Sequence, residues 1–164
     1  MRLRELQSKD ASFMLEWMHD ADIGGQFKKN MTCISKKDVE AFICNSKETK
    51  NDAHFAVIDE NDEYLGTISL KNINTEDKNA EYAISMRKKA MGTGAAKFAT
   101  EQIIEYGFYK LGLERIYLNV LSDNKRAVRF YEKFGFCYEG EFKKHIMIDK
   151  ELKDLKWFAV LKNS

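Results

Sequence analysis

Apolar residues recur at steps of two in some stretches and at steps of three or four in others, and the changes of period divide the chain into alternating elements. Residues 1–6 predict a first strand, after which Ser8 is placed to cap a helix carrying Phe13, Met14, Trp17 and Met18 on one face. That helix is expected to end between Asp20 and Gly25. Ser35-Lys36-Lys37-Asp38 reads as a capping box ahead of Val39, Phe42 and Ile43, and the stretch 45–52 is too polar to continue into a core. His54 to Asp59 and Tyr64 to Leu70 flank the acidic turn 60–63 as the two strands of a hairpin, and Ala80 to Met86 predicts a third strand.

Beyond Gly94 the period becomes helical, with Ala95, Phe98, Ala99, Ile103 and Tyr106 on one side and Gly112 placed to stop the run. Arg115 to Leu121 is apolar on both faces, which suits a strand inside a sheet. Ala127, Phe130, Tyr131 and Phe134 fall at i, i+3, i+4 and i+7 of a further helix closed by Gly135. Phe136 to Phe142 and Leu155 to Leu161 then predict two strands separated by a charged segment. The order β-α-α-β-β-β-α-β-α-β-β describes a mixed α/β or α+β sheet with helices on its faces.

Composition narrows the partners. The 164 residues suit one domain, and 27 Lys+Arg against 26 Asp+Glu leave a net charge of +1, without the basic excess that grips nucleic acid. No apolar run approaches the roughly 18 residues of a membrane span, so neither nucleic acid nor a membrane is expected as partner. Cys33, Cys44 and Cys137 are odd in number and form no CxxC pair, which disfavours a disulfide framework and a zinc site and fits a reducing, cytoplasmic setting. His19, His54 and His145 are scattered, so no metal is expected.

Two segments carry chemistry. Arg87 to Ala96 joins a strand to a helix and contains Gly92-Thr93-Gly94. The glycines permit close backbone approach, the helix supplies unpaired N–H groups, and Arg87, Lys88 and Lys89 add charge attractive to a phosphorylated ligand. Lys97 occupies the third glycine position of a dinucleotide fingerprint, and no Gly-Lys-Ser/Thr occurs, so neither a Rossmann nor a Walker loop fits. The second segment is Asn124-Lys125-Arg126-Ala127-Val128-Arg129-Phe130-Tyr131-Glu132-Lys133-Phe134-Gly135-Phe136.

That run resembles the Asn-x-x-Ala-x-x-x-Tyr-Glu-Lys-x-Gly-Phe signature of the GCN5-related N-acetyltransferases (GNAT). The glycine loop is similar to that family's acetyl-coenzyme A pyrophosphate loop, with Lys89 where Arg or Gln is usual. The branch it resembles includes ribosomal-protein N-terminal, polyamine and nucleotide-linked amino-sugar acetyltransferases. The resemblance implies a mostly antiparallel mixed sheet of six to seven strands, splayed between the fourth and fifth, with about four helices on its faces. It implies one domain over 1–164, with acceptor-side helices in 1–52, the acetyl-CoA core in 53–136 and C-terminal strands in 137–164.

The same resemblance implies site roles. Ala83, Ile84, Ser85 and Met86 would pair with the pantetheine arm, and the N–H of Ile84 would face the thioester oxygen. N–H groups of Met91 to Ala95 would hold the pyrophosphate, with the Thr93 hydroxyl adding to them. Asn119 and Asn124 would hold amide groups near the gap, and Lys133 the nucleotide end; Asn124 serves equally as a helix N-cap. Tyr131 matches the family's general acid and is otherwise a core aromatic. Glu81, on the same strand face as Ala83 and Ser85, is the candidate base or a solvent-facing strand end, with His145 as a secondary candidate.

Glu16, Trp17 and His19, with Asp20 and Asp22, are candidates for the acceptor site, although Trp17 also suits the core. The acceptor would be a small-molecule amine (amino sugar or polyamine) or a protein N-terminus, and the chain a possible homodimer. The alternative is a non-catalytic acyl-coenzyme A sensor on the same fold.

Overall fold

The computed structural model describes residues 1–24 and 31–163. Among these, seven strands form one sheet: Arg2–Arg4 (β1), Ala53–Ile58 (β2), Tyr64–Asn74 (β3), Asn79–Met86 (β4), Arg115–Leu121 (β5), Cys137–Ile148 (β6) and Glu151–Leu161 (β7). Their spatial order is β1-β2-β3-β4-β5-β7-β6, and every neighbouring pair is antiparallel except β4 with β5. Five α-helices cover the faces: Ala11–His19 (α1), Ala21–Gly24 (α2), Lys36–Asn45 (α3), Ala95–Glu105 (α4) and Lys125–Phe134 (α5).

Strand alternation decides which helices cover which face. Tyr64 and Leu65 are adjacent in β3 yet belong to different cores, Tyr64 with Met14, Trp17, Val39 and Ile43 of α1 and α3, Leu65 with Ala99, Ile103, Val128 and Tyr131 of α4 and α5. Ile103, Ile116 and Phe158 are wholly buried in the second core, and full burial of such a side chain contributes about 1.5–3 kcal/mol.

The capping box forms as the sequence suggests: Ser35 Oγ accepts from the Asp38 N–H at 3.2 Å, and the Asp38 carboxylate accepts from the Ser35 N–H at 3.0 Å. Ser8 is not the cap of α1. It opens a short 3-10 turn, Ser8–Asp10, whose capping box is closed by the Asp10 carboxylate accepting from the Gln7 N–H at 2.8 Å while paired with the Arg4 guanidinium; Asp10 then stands at the N-cap position of α1 without a side-chain bond to that helix. The first helix ends at His19 and α2 follows after one residue; Gly25, the far limit of the expected end, lies outside the described residues.

The charged segment 143–154 is not a loop. β6 runs on to Ile148 and β7 starts at Glu151, joined by Asp149 and Lys150 with φ of +48° and +66°. Left-handed backbone at both turn residues matches the twist of a two-residue hairpin. Ile146 and Ile148 turn inward to a small cluster with Leu121 and Leu155, but these two apolar positions are too few among charged neighbours for a period of two to show.

Gly66 fixes the approach of β3 to β4. A Cβ there would lie 2.3 Å from Met86 Sδ and 2.5 Å from the Ser85 carbonyl oxygen, so only glycine lets β3 run this close to the end of β4.

Candidate active site

β4 and β5 part company at Glu81. The parallel register pairs Asn79 with Arg115, Ala80 with Ile116 and Glu81 with Tyr117, and ends there, whereas β4 stays paired with β3 through Met86. Residues 82–86 therefore have one edge without a strand partner among the described residues, and Ala83, Ile84, Ser85 and Met86 lie along it. Unpaired edge N–H and C=O groups are a template for an added extended segment.

Glu81 stands at the vertex of this split. Its Oε1 accepts from Asn119 Nδ2 at 3.0 Å and its Oε2 meets Lys71 Nζ at 3.1 Å. The side chain keeps 13% exposure, enough to be reached from the gap, so it is a held carboxylate and not a free strand end. Burial first, and then the Glu81 charge, push the Tyr117 hydroxyl up from its ordinary pKa, with Arg115 opposing.

Tyr131 projects from α5 on the opposite face. Its ring packs edge-on against Tyr82 at 5.8 Å and Phe136 at 5.6 Å, while its hydroxyl has no hydrogen-bond partner among the described residues. Burial pushes the phenol well above its ordinary value, so it stays protonated at neutral pH.

Beyond β4 the chain makes a 3-10 turn, Lys88–Ala90, and then the glycine loop. Gly92 and Gly94 have φ of +78° and +84°, and a Cβ on either would meet nothing within 4 Å. The left-handed backbone is what requires glycine, and the space in front of it is open to a ligand. Three of the expected pyrophosphate donors are engaged within the loop: Met91 N–H with the Lys88 carbonyl, Thr93 N–H with the Ala90 carbonyl, and Ala95 N–H with Thr93 Oγ1. Those of Gly92 and Gly94 have no acceptor among the described residues, and α4 leaves first-turn N–H groups at Ala96 and Lys97. The Thr93 hydroxyl also donates to the Ala90 carbonyl, so it braces the turn instead of extending to a ligand. This cradle of free N–H groups at a helix start fits a pyrophosphate.

The cations ahead of the loop are neutralised locally. Arg87 is buried, with Nη1 on Glu63 Oε1 at 2.7 Å and on the Tyr64 carbonyl at 2.9 Å, and its guanidinium lies 4.3 Å from the Phe13 ring centroid. Lys89 Nζ meets the same Glu63 Oε1 at 2.6 Å, and Lys88 lies 3.8 Å from Asp22. Arg87 and Lys89 thus brace the loop, a role that a run of three cations does not disclose.

The acceptor-side candidates scatter. Glu16 is bonded to Arg87. Trp17 is in the core, its Nε1 donating to the Tyr64 hydroxyl at 3.0 Å, so its indole offers no face to an acceptor. His19 Nε2 contacts the Ile34 carbonyl at 2.6 Å, and the Asp20 carboxylate accepts from the Asp22 N–H. Asn124 caps α5, accepting from the Ala127 N–H at 3.2 Å, and Lys133 is exposed on the same helix. His145 is exposed against Phe142. Among the described residues no group of three or more His, Cys, Asp or Glu could hold a metal ion, and no helix is long and apolar enough to cross a membrane.

A hollow of about 430 Å³ lies at the far end of α4 from the loop, lined by Gln102, Glu105, Tyr106, Tyr109 and Lys110, away from the split between β4 and β5. A smaller one of about 230 Å³ adjoins the loop through Lys89, Ala90 and Thr93.

Residues 1–137 match the family described as acetyltransferase (GNAT) domain. Spermidine N(1)-acetyltransferase of Vibrio cholerae is 31% identical over 109 residues, 66% of this chain and 63% of that protein, so the chain aligns with less than two thirds of this relative's length. The Escherichia coli spermidine N(1)-acetyltransferase is 28% identical over 159 residues, 94% of this chain and 82% of that protein. Among solved structures, spermidine N-acetyltransferase from Vibrio cholerae in complex with CoA and spermine superposes with a TM-score of 0.88 at 26% identity, covering 98% of this chain and 94% of that one.

Proposed function

The chain belongs to the GNAT acetyltransferases, N-acetyltransferases whose acetyl donor is acetyl-coenzyme A, and from that premise we propose that it acetylates a primary amine of the polyamine class at the split between β4 and β5. The observation that carries this reading is the free edge of β4, which starts at a reachable carboxylate, Glu81, and runs into a loop with open N–H groups at Gly92 and Gly94. The names of the relatives support a polyamine acceptor, and a carboxylate at the vertex suits a cationic one.

Acetyl-coenzyme A supplies the activated acyl carbon. The free edge of β4 would hold its pantetheine arm, and Gly92, Gly94, Ala96 and Lys97 would hold its pyrophosphate through their N–H groups. Glu81 takes a proton from the incoming ammonium, which must lose one before it can attack. Tyr131 donates toward the departing sulfur. A phenol of pKa about 10 is a weaker acid than a thiol at about 8.5, and burial widens that difference, so outright transfer to a finished thiolate runs uphill. Tyr131 therefore acts by stabilising the developing charge, its proton crossing as nitrogen sheds another.

The test is thiol release by the purified protein with acetyl-coenzyme A and, separately, spermidine, spermine, an amino sugar and a peptide with a free N-terminus. The highest kcat/KM is expected with a polyamine. Turnover confined to the sugar or the peptide overturns the acceptor class, and coenzyme A binding without turnover of any amine favours the sensor reading.

A further inference from the structure

Asn119 bridges the two strands at the point where their main-chain pairing stops. It lies two residues beyond Tyr117, the last β5 residue paired with β4, and its Nδ2 donates to Glu81 Oε1 at 3.0 Å. That bond orients the amide, because a carboxylate oxygen repels the carbonyl end and holds the N–H₂ end. The opposite atom, Oδ1, is enclosed and has no hydrogen-bond partner among the described residues. A buried carbonyl without a donor costs free energy, and such an orphan beside a reaction centre marks a place where a ligand's donor belongs.

We propose that Asn119 is a binding residue for the acceptor amine, its Oδ1 taking one N–H of the nitrogen whose proton Glu81 removes. This rests on the acetyltransferase reading above, and it moves Asn119 from the cofactor, where the family resemblance placed it, to the acceptor. An alkylammonium carries three N–H donors. One proton passes to Glu81 and frees the lone pair, a second N–H stays on Asn119 Oδ1, and the lone pair is thereby aimed at the acyl carbon. As the nitrogen–carbon bond forms, the carbon–sulfur bond breaks and sulfur takes the Tyr131 proton. Nitrogen passes its third proton to Tyr131, Glu81 releases the first to solvent, and the second, held on Asn119 Oδ1, remains on the product amide.

The rival donor for Oδ1 is the indole of Trp157, paired with Asn119 across β5 and β7 and itself without an acceptor at Nε1 among the described residues. Asn119→Leu, Asn119→Ala and Trp157→Phe separate the two. Spermidine is titrated by calorimetry into each protein saturated with coenzyme A, and coenzyme A into each protein alone. The Asn119 variants are expected to bind spermidine about 10- to 100-fold more weakly, the loss of a hydrogen bond to a charged group, with coenzyme A affinity and melting temperature held. Trp157→Phe is expected to leave both affinities unchanged. If Asn119→Leu does not fold, the smaller alanine variant carries the test.

Weakened coenzyme A with unchanged spermidine binding returns Asn119 to the cofactor and overturns the proposal. So does an equal spermidine loss in Trp157→Phe, which gives Oδ1 to the indole, and so does no effect in any variant. A wild-type protein that neither binds nor acetylates spermidine or any other amine fails the acetyltransferase reading itself, a result distinct from a turning-over enzyme indifferent to Asn119.

Discussion

Arg87 grips Glu16 with two hydrogen bonds, Nε to Oε2 at 2.7 Å and Nη2 to Oε1 at 3.0 Å, and so ties α1 to the residue that follows β4. The guanidinium is 7% exposed and the carboxylate 49%, so one partner is out of water and the other half in it. Removing Arg87 leaves Glu63 and the Tyr64 carbonyl short of a donor as well. Breaking a fully buried pair costs about 3–5 kcal/mol, and screening at Glu16 reduces that here to roughly 2 kcal/mol. Arg87→Met should lower the melting temperature by about 4–8 °C, at 2–4 °C per kcal/mol for a chain of this size. An unchanged thermal unfolding curve would show that the brace is not holding the loop.

Gly94→Val and Gly92→Val are expected to abolish coenzyme A binding in a protein that still folds. The Cβ meets no protein atom within 4 Å, so the cost to the fold is the φ strain of +84° or +78°, on the order of 1–3 kcal/mol. The same Cβ stands in front of the free N–H groups. Calorimetry with coenzyme A and a melting curve decide between loss of the site and loss of the fold.

Tyr131→Phe should lower kcat by about 10²- to 10⁴-fold while coenzyme A affinity stays within twofold or so of wild type. Its hydroxyl has no hydrogen-bond partner among the described residues to lose, so the melting temperature should hold. Unchanged turnover under conditions where chemistry limits the rate would leave Tyr131 as an aromatic packed between Tyr82 and Phe136.

What was legible in the sequence was local. The Ser35–Asp38 box, the glycine loop and the two-sided strand Arg115 to Leu121 are written in neighbouring residues or in a period of two, and the structure keeps them. The Arg87 brace joins residues 71 and 24 positions apart, and the Asn119–Glu81 bond spans 38. In a run such as Arg87-Lys88-Lys89 a buried, paired cation and a solvated one read alike, because only distant partners distinguish them. The β6–β7 extension was hidden for a different reason, its inward-facing apolar residues, Ile146 and Ile148, being two positions in a run that is otherwise mostly exposed and charged.

His54 gives the fold a pH dependence of known sign. Its Nδ1 lies 2.6 Å from Ser69 Oγ, and burial pushes its pKa below the ordinary 6.5, with Asp52 opposing and Lys71 adding to the shift. The unfolded chain therefore binds a proton at a pH where the folded one does not, so stability rises with pH across that window and falls as pH drops below about 6.5. Carboxylates held low, such as Asp62 at about 2 beside Lys9 and Arg4, lose their contribution only at more acidic pH, below their ordinary value. Melting temperatures between about pH 7 and 5.5 should fall in the wild type and fall less in His54→Gln. Equal slopes would remove His54 from the account.

Glu81→Gln tests the base. An alkyl amine with a pKa of about 10.4 is neutral in only about one part per thousand near pH 7.4, so an enzyme without a base must wait for that fraction, which grows tenfold per pH unit. With Glu81 present, the proton is removed in the complex and the rate depends less steeply on pH. The variant should therefore lose about 10²- to 10⁴-fold in kcat/KM near neutrality, and the ratio to wild type should shrink as pH approaches about 9.5. Lys71 pairs with the same carboxylate at 3.1 Å, so Lys71→Met serves as the control that breaks the ion pair and keeps the base. It should retain the wild-type shape of the profile. A ratio for Glu81→Gln that stays constant across pH would mean that the carboxylate binds the ammonium without taking its proton, and a ratio near one would place the reaction centre elsewhere along β4.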